Sequence, residues 1–365
     1  MFRFDFDIDD PADDLEISTS TPASKAAVKG TEINQEPFAE VSIQHLVDCL
    51  PSLISCSPLS IPLSSGGDVI LARRDLFDAR FQLINEEVDD EQKDNSPALS
   101  FLDAPSDLVQ GIYEGGLKTW ECSLDIVDYL HAENPTFEGR RVFEVGCGTA
   151  VPSVYIMQKL FSGLPHGKET QLHLQDYNAM VFELLTLPNL ILAWYMSPAS
   201  KAYRDVATTN LDETPLPPAD PSIHTEIPIT PELKTAFLSS LEAYAIQLRF
   251  FSGSWNSFDL HQSGGAYDIV LTSETIYRAD SVGSLIDLLQ SVSPTVDSLT
   301  SRLSISDGEN NSSFLCLVAA KIFYFGVGGG VTNFVEAIEE KEGRVETVWE
   351  QKVGVGRKIM RIQWP

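Results

Sequence analysis

From residue 141 onward the chain alternates between two kinds of pattern. Short apolar runs rich in β-branched and aromatic residues occupy 141–145, 171–176, 246–251, 266–271 and 314–320, and each reads as a buried strand. Two more at 345–352 and 357–364 flank the turn Val353-Gly-Val-Gly356 and read as a closing hairpin. Between the strands, apolar positions fall at helical spacing. Trp120, Leu124, Val127 and Leu130 share one face of a helix that Thr119 can cap. Asn178 is placed to cap a helix over 179–187 that Pro188 stops. Asn333 with Glu336 makes a capping-box pattern for a helix over 334–341. Strands alternating with helices predict a doubly wound α/β sheet.

The chain before residue 107 reads differently. Residues 1–37 form an acidic arm in which Phe2, Phe4 and Phe6 alternate with Arg3, Asp5 and Asp7. Such a segment buries too little to offset its ordering entropy, so disorder is expected. Residues 38–106 form an extension and linker. Within it, 41–50 has helical periodicity ending at Pro51, and 57–67, broken by Pro58, Pro62, Gly66 and Gly67, reads as loop. A strand is expected around 69–71, followed by apolar Leu76, Phe77, Phe81 and Ile84 and an acidic linker over 86–96. His45, between apolar neighbours, reads as structural. The main domain spans 107–365, with an insertion rich in Pro, Ser, Thr and Asp at about 197–231.

The candidate chemistry gathers where strands end. Gly146-Cys147-Gly148 follows the first strand and precedes a helix that Pro152 can open, so helix N–H groups point over the carboxyl edge of the sheet. A dinucleotide fingerprint would add a third glycine and an acid about 20 residues on; here Thr149-Ala150-Val151 follows, and the next strand-end acid is Asp176. Glu144, just ahead of the turn, suits a cationic sulfonium better than a pyrophosphate, which it would repel. Asp176 can accept both hydroxyls of a ribose. Cys147 fills a small space in the turn. Trp255 can stack on adenine with Ser254 beside it. Glu274 and Tyr277, three apart after the fourth strand, both face the reacting centre if that segment starts a helix.

Composition narrows the choice of partner. The 365-residue chain carries a formal net charge of −28 and a sequence pI near 4.4. That field repels nucleic-acid phosphates and steers basic partners inward. Five cysteines without a C-x-x-C pair suggest neither a disulfide framework nor a zinc site, and no metal is expected. The absence of a basic-then-apolar opening and of any long apolar run predicts a cytoplasmic or nuclear protein with no membrane span.

Six motifs in one order then carry a resemblance: Glu-Gly-Gly-Leu-Lys-Thr-Trp-Glu-Cys at 114–122, Glu-Val-Gly-Cys-Gly-Thr-Ala-Val-Pro at 144–152, Gln-Asp-Tyr-Asn at 175–178, Ser-Gly-Ser-Trp at 252–255, Ser-Glu-Thr-Ile-Tyr at 273–277 and Tyr-Phe-Gly-Val-Gly-Gly at 324–329. Over residues 107–365 the chain resembles the fungal and animal protein-histidine N-methyltransferases. The resemblance implies a class I S-adenosylmethionine fold with strand order 3-2-1-4-5-7-6. It implies cofactor contacts from Lys118, Thr119, Trp120, Glu121 and Cys122, from Gly146 in its turn, and from Asp176, Tyr177 and Asn178. Gly253, Ser254, Trp255 and Ser273 complete that set. The implied acceptor is a histidine of the third large-subunit ribosomal protein, methylated at the tele nitrogen; separately, the chain is expected to be a monomer. A protein-lysine methyltransferase shares the acid-x-x-Tyr motif, and a silent cofactor-binding chaperone for a basic ribosomal protein shares the binding residues.

Overall fold

A computed structural model describes residues 37–89, 116–165, 167–207, 215–294, 314–324 and 329–365. The arm over 1–36, the linker over 90–115 and most of the glycine-rich loop at 325–328 lie outside the described residues. From Gln35 to Pro365 the chain forms one compact unit.

Its centre is an eight-stranded sheet. β4 (Arg141–Val145) is flanked by β5 (Thr170–Asp176) and β8 (Ile269–Ser273), both parallel to it. β7 (Ile246–Ser252) pairs parallel with β5, and β9 (Leu315–Lys321) parallel with β8. β11 (Arg357–Gln363) returns antiparallel on β9 and carries β10 (Arg344–Gln351). Counted from β4, these seven strands lie in the order 3-2-1-4-5-7-6. An eighth, β1 (Ala39–Val41), adds antiparallel to the outer edge of β7, so the N-terminal extension is built into the sheet. Of the five parallel strands, β4, β5, β8 and β9 are buried on both faces, which is why they read as continuous apolar runs rather than alternating ones. Among the described residues no single helix is long and apolar enough to cross a membrane.

Several local expectations are corrected. The stretch 57–67 is not a loop until Leu63, because β2 (Leu53–Pro62) runs through both prolines. β2 pairs over Cys56–Pro62 with β3 (Asp68–Arg74), whereas β6 (Thr225–Pro228) covers only Leu53–Cys56. Pro58 and Pro62 therefore sit where one side of the strand has no partner and a missing N–H costs nothing. β6 comes from the insertion, which also contributes a helix, Lys201–Ala207.

Pro188 does not stop a helix. The chain passes from Ala179–Val181 through a π-helical turn, Phe182–Thr186, into Leu187–Tyr195, with Pro188 in that helix's first turn. The widened turn accommodates a proline that a continuous α-helical ladder would reject. The helix Glu121–Glu133 has Trp120, not Thr119, at its N-cap position, with no side-chain cap. The helix Val331–Glu340 begins at Gly330, with no side-chain cap from Asn333.

Candidate active site

The tips of β4, β5, β7 and β8 meet at one edge, where a doubly wound sheet reverses direction and leaves a crevice. Gly146 and Gly148 both have positive φ, 61° and 51°. A Cβ on Gly146 would lie 2.6 Å from Thr275 Cγ2, and one on Gly148 would lie 3.1 Å from the backbone of Gly116. The turn is thus clamped between the segment ahead of the helix Glu121–Glu133 and the tip of β8, and only glycine fits there.

Hydrogen bonds bind these tips into one unit. Asp176 accepts the Gly148 N–H at 2.9 Å and the Asn178 N–H at 3.2 Å. Gln175 accepts the Gly146 N–H at 3.2 Å and the Trp255 indole N–H at 2.8 Å, and donates to the Gly253 carbonyl at 2.9 Å. One amide therefore fixes three of the predicted positions. The Thr186 hydroxyl, in the π turn, donates to the Gly148 carbonyl at 2.7 Å, and Asn189 donates to the Thr149 carbonyl at 2.9 Å. Thr119 meets Thr149 hydroxyl to hydroxyl at 3.0 Å. Around this frame Lys118, Trp120, Gly146, Tyr177, Asn178, Ser254, Trp255 and Ser273 stay partly exposed, while the strands behind them are buried.

Glu144 stands elsewhere. Its carboxylate is 2 % exposed and accepts both the N–H and the hydroxyl of Ser153, so it braces the helix Val151–Ser162 from beneath. Burial pushes it up to about 8, so near neutral pH it is largely protonated and adds little negative field. The charge argument drawn from Glu144 passes to Asp176. Cys147 is buried, and burial, then Asp176, holds its thiol well above the usual range, which leaves it inert as a nucleophile.

The segment after β8 is not helical until Ala279. Glu274 instead takes a left-handed backbone, φ 58°, with its N–H on the Ala319 carbonyl at 2.9 Å. Of the five non-glycine residues with positive φ among the described residues, Asn134, Ala245 and Glu342 lie at helix C-terminal ends, a routine place for that conformation. The other two, Ala150 and Glu274, lie at the tips of β4 and β8. Backbone strain is thereby concentrated at the crevice.

Glu274 and Tyr277 are brought together by Tyr324, which opens the last of the six motifs but was given no role of its own. Tyr324 donates to Glu274 Oε2 at 2.6 Å and packs edge-on against Tyr277, ring centroids 6.5 Å apart. Burial, then the Glu274 carboxylate, holds the Tyr324 phenol far above its ordinary value, so it remains a donor. Glu274 Oε1 is buried and makes no hydrogen bond, with Lys321 Nζ 3.7 Å away. Lys321 also reaches Glu121 at 3.0 Å and lies over the Trp120 ring, 4.5 Å from its centroid. Cys122 is fully buried beneath, its thiol raised by burial and then by Glu274. The signal for Lys321 and Tyr324 was their place at the end of the fifth strand, in register with the fourth. Gln175 opens the Gln-Asp-Tyr-Asn motif but was given no role, and Thr186 and Asn189 carried no signal beyond being polar within apolar runs.

No protein-family model matches the chain. It is 32 % identical over 283 residues to histidine protein methyltransferase 1 of Saccharomyces cerevisiae, covering 74 % of this chain and 69 % of that protein. To the protein of the same name in Schizosaccharomyces pombe it is 28 % identical over 344 residues, covering 91 % and 88 %. Among solved structures it is similar to magnesium protoporphyrin IX methyltransferase from Synechocystis, at 12 % identity and a TM-score of 0.34, over 67 % of this chain and 82 % of that one. That last likeness is too loose to carry weight, and the fold rests on the strand order.

Proposed function

The chain belongs to the histidine protein methyltransferase family, and from that premise we propose that it methylates a histidine of a basic protein, using S-adenosylmethionine bound across the tips of β4, β5, β7 and β8. The donor supplies an electrophilic methyl group on a cationic sulfur. The side chains fit it. Asp176, anchored by backbone N–H groups, offers the acceptors a ribose diol needs, Trp255 is oriented through its indole N–H, and the Gly146–Gly148 turn admits close approach.

The observation that carries the acceptor assignment is the buried Glu274 oxygen without a hydrogen bond. Lys321 Nζ, 3.7 Å away, balances its charge but is too far to donate a hydrogen bond, and an N–H from outside would supply the one that this buried oxygen lacks. We assign it to the distal N–H of the acceptor imidazole, which would present the tele nitrogen for reaction. Free histidine titrates near pH 6.5, so most acceptor side chains are already neutral at pH 7. The site then needs alignment rather than a strong base, worth up to about 7–11 kcal/mol in well-oriented systems.

The acceptor protein is proposed to be the third large-subunit ribosomal protein, supported by the motif resemblance and by a net charge of −28 that favours basic partners. Cytoplasmic and nuclear locations follow from that substrate, and the chain is taken to act as a monomer. Incubating the chain with radiolabelled donor and separated large-subunit proteins tests this: label on one basic protein, in histidine, is expected. Label in lysine would favour the lysine reading, and donor binding without transfer would favour the chaperone reading.

A further inference from the structure

Arg73 and Arg74 close β3 and, being consecutive in a strand, leave it on opposite faces. Arg74 is buried and spends its guanidinium inside the fold, on Asp78 at 2.7 Å, Gln82 at 2.9 Å and the Leu184 carbonyl at 2.8 Å. Arg73 goes the other way. Its Nη1 donates to the Thr119 hydroxyl at 3.3 Å; among the described residues that is its one hydrogen bond, and no carboxylate stands at ion-pair distance. Thr119 in turn meets Thr149, directly after Gly148, and Gly116 of the same segment packs against Gly148. The guanidinium therefore stands beside the glycine turn.

A guanidinium presents its N–H donors in a planar fork that matches a carboxylate. Arg73 spends one donor on a neutral hydroxyl, so a structural tie to Thr119 leaves the charge and most of the fork unexplained. The side chain is only partly exposed, and burial pulls it below its ordinary value although Asp75 opposes. S-adenosylmethionine brings the missing partner, because it carries one anionic group, the α-carboxylate of its amino-acid end. In a chain of net charge −28, with Asp176 and Glu274 at the same crevice, that group would be repelled without a cation to receive it. Lys321 is engaged elsewhere, 3.0 Å from Glu121 and 3.7 Å from Glu274.

Resting on the donor reading above, we propose that Arg73 binds the α-carboxylate of S-adenosylmethionine. The N-terminal extension then does more than add β1 to the sheet edge: through β3 it supplies a donor-binding side chain that the strand tips lack. Arg73 carried no sequence signal because it lies on a strand far ahead of the glycine turn in the chain.

Calorimetric titration of the full chain with S-adenosylmethionine and with its decarboxylated form, which keeps the amine, sulfonium and nucleoside, reads the carboxylate alone. Salt at about 0.15 M screens the long-range field. In Arg73→Met the intact donor is expected to bind about 10–100-fold more weakly, the loss of a charge-assisted contact, with binding of the decarboxylated donor undiminished. Arg73→Lys keeps the charge without the fork and loses less. Circular dichroism verifies that both variants fold. An equal loss for both donors in Arg73→Met, or unchanged affinity for the intact one, overturns the proposal. So does a wild type that binds the decarboxylated donor as tightly as the intact one, a result that depends on no variant. A wild type that binds neither overturns the donor reading itself, and this assignment with it.

Discussion

Glu274 pays a backbone cost to be where it is. A non-glycine residue at φ 58° stores about 1–3 kcal/mol and persists only when its surroundings over-determine it. Here the Ala319 carbonyl holds its N–H and Tyr324 holds one carboxylate oxygen. Replacing Glu274 with Gln keeps size and shape but offers an acceptor its N–H no charge. Turnover is expected to fall roughly 10²-fold or more, with donor affinity unchanged by calorimetry. Full turnover would remove Glu274 from the acceptor site. Tyr324→Phe frees the carboxylate without removing it, so a smaller loss, about tenfold, is expected in kcat/KM. Gly146→Ala acts differently: its Cβ meets Thr275 Cγ2 at 2.6 Å and its φ is positive. Loss of donor binding and roughly 1–3 kcal/mol of stability is expected. Equilibrium unfolding with a donor titration reads both, and undiminished donor binding would free the turn from that role.

At the scale of elements, the strands of the central sheet were legible because parallel strands buried on both faces read as apolar runs. Asn178 does stand at the N-cap of its helix, but the expectations for Thr119 and Asn333 failed for a shared reason. Thr119 spends its hydroxyl on Thr149 and accepts from Arg73, while Gly330 rather than Asn333 opens its helix. Both are tertiary choices invisible to local pattern. Pro188 was misread as a stop because a π turn leaves no mark in hydrophobic spacing. Cofactor positions at strand tips could be anticipated, whereas their supports, Gln175, Thr186 and Asn189, could not, since they matter through partners far along the chain. Thr186→Val is the test at this scale. It keeps the shape but removes the hydroxyl from the Gly148 and Val181 carbonyls. It should cost about 1–3 kcal/mol of stability and weaken donor binding. A neutral outcome in both assays would mean the π turn does not support the glycine turn.

Across the whole molecule, two buried groups set opposite pH dependences. His173, fully buried against the Tyr267 hydroxyl, is lowered to about 3 by burial, then by Arg141 and Arg249. Its contribution is present above its ordinary 6.5 and is lost as pH falls toward 3. Glu144 is raised from 4.5 to about 8, so its contribution is present below 4.5 and is lost as pH rises to 8. Glu144→Gln removes only the second dependence. Urea unfolding at several pH values from 6.5 to 8 should show the variant gaining on wild type by up to about 1.4 kcal/mol per pH unit. Parallel curves would place the titration elsewhere.

The central claim is that a methyl group leaves a donor held at these strand tips for a neutral imidazole. The direct measurement is acid hydrolysis of the methylated substrate protein followed by amino-acid separation, with Glu274→Gln run beside wild type. Labelled tele-methylhistidine from wild type, sharply reduced in the variant, is the predicted result. Labelled methyl-lysine, or equal tele-methylhistidine from both, would contradict it.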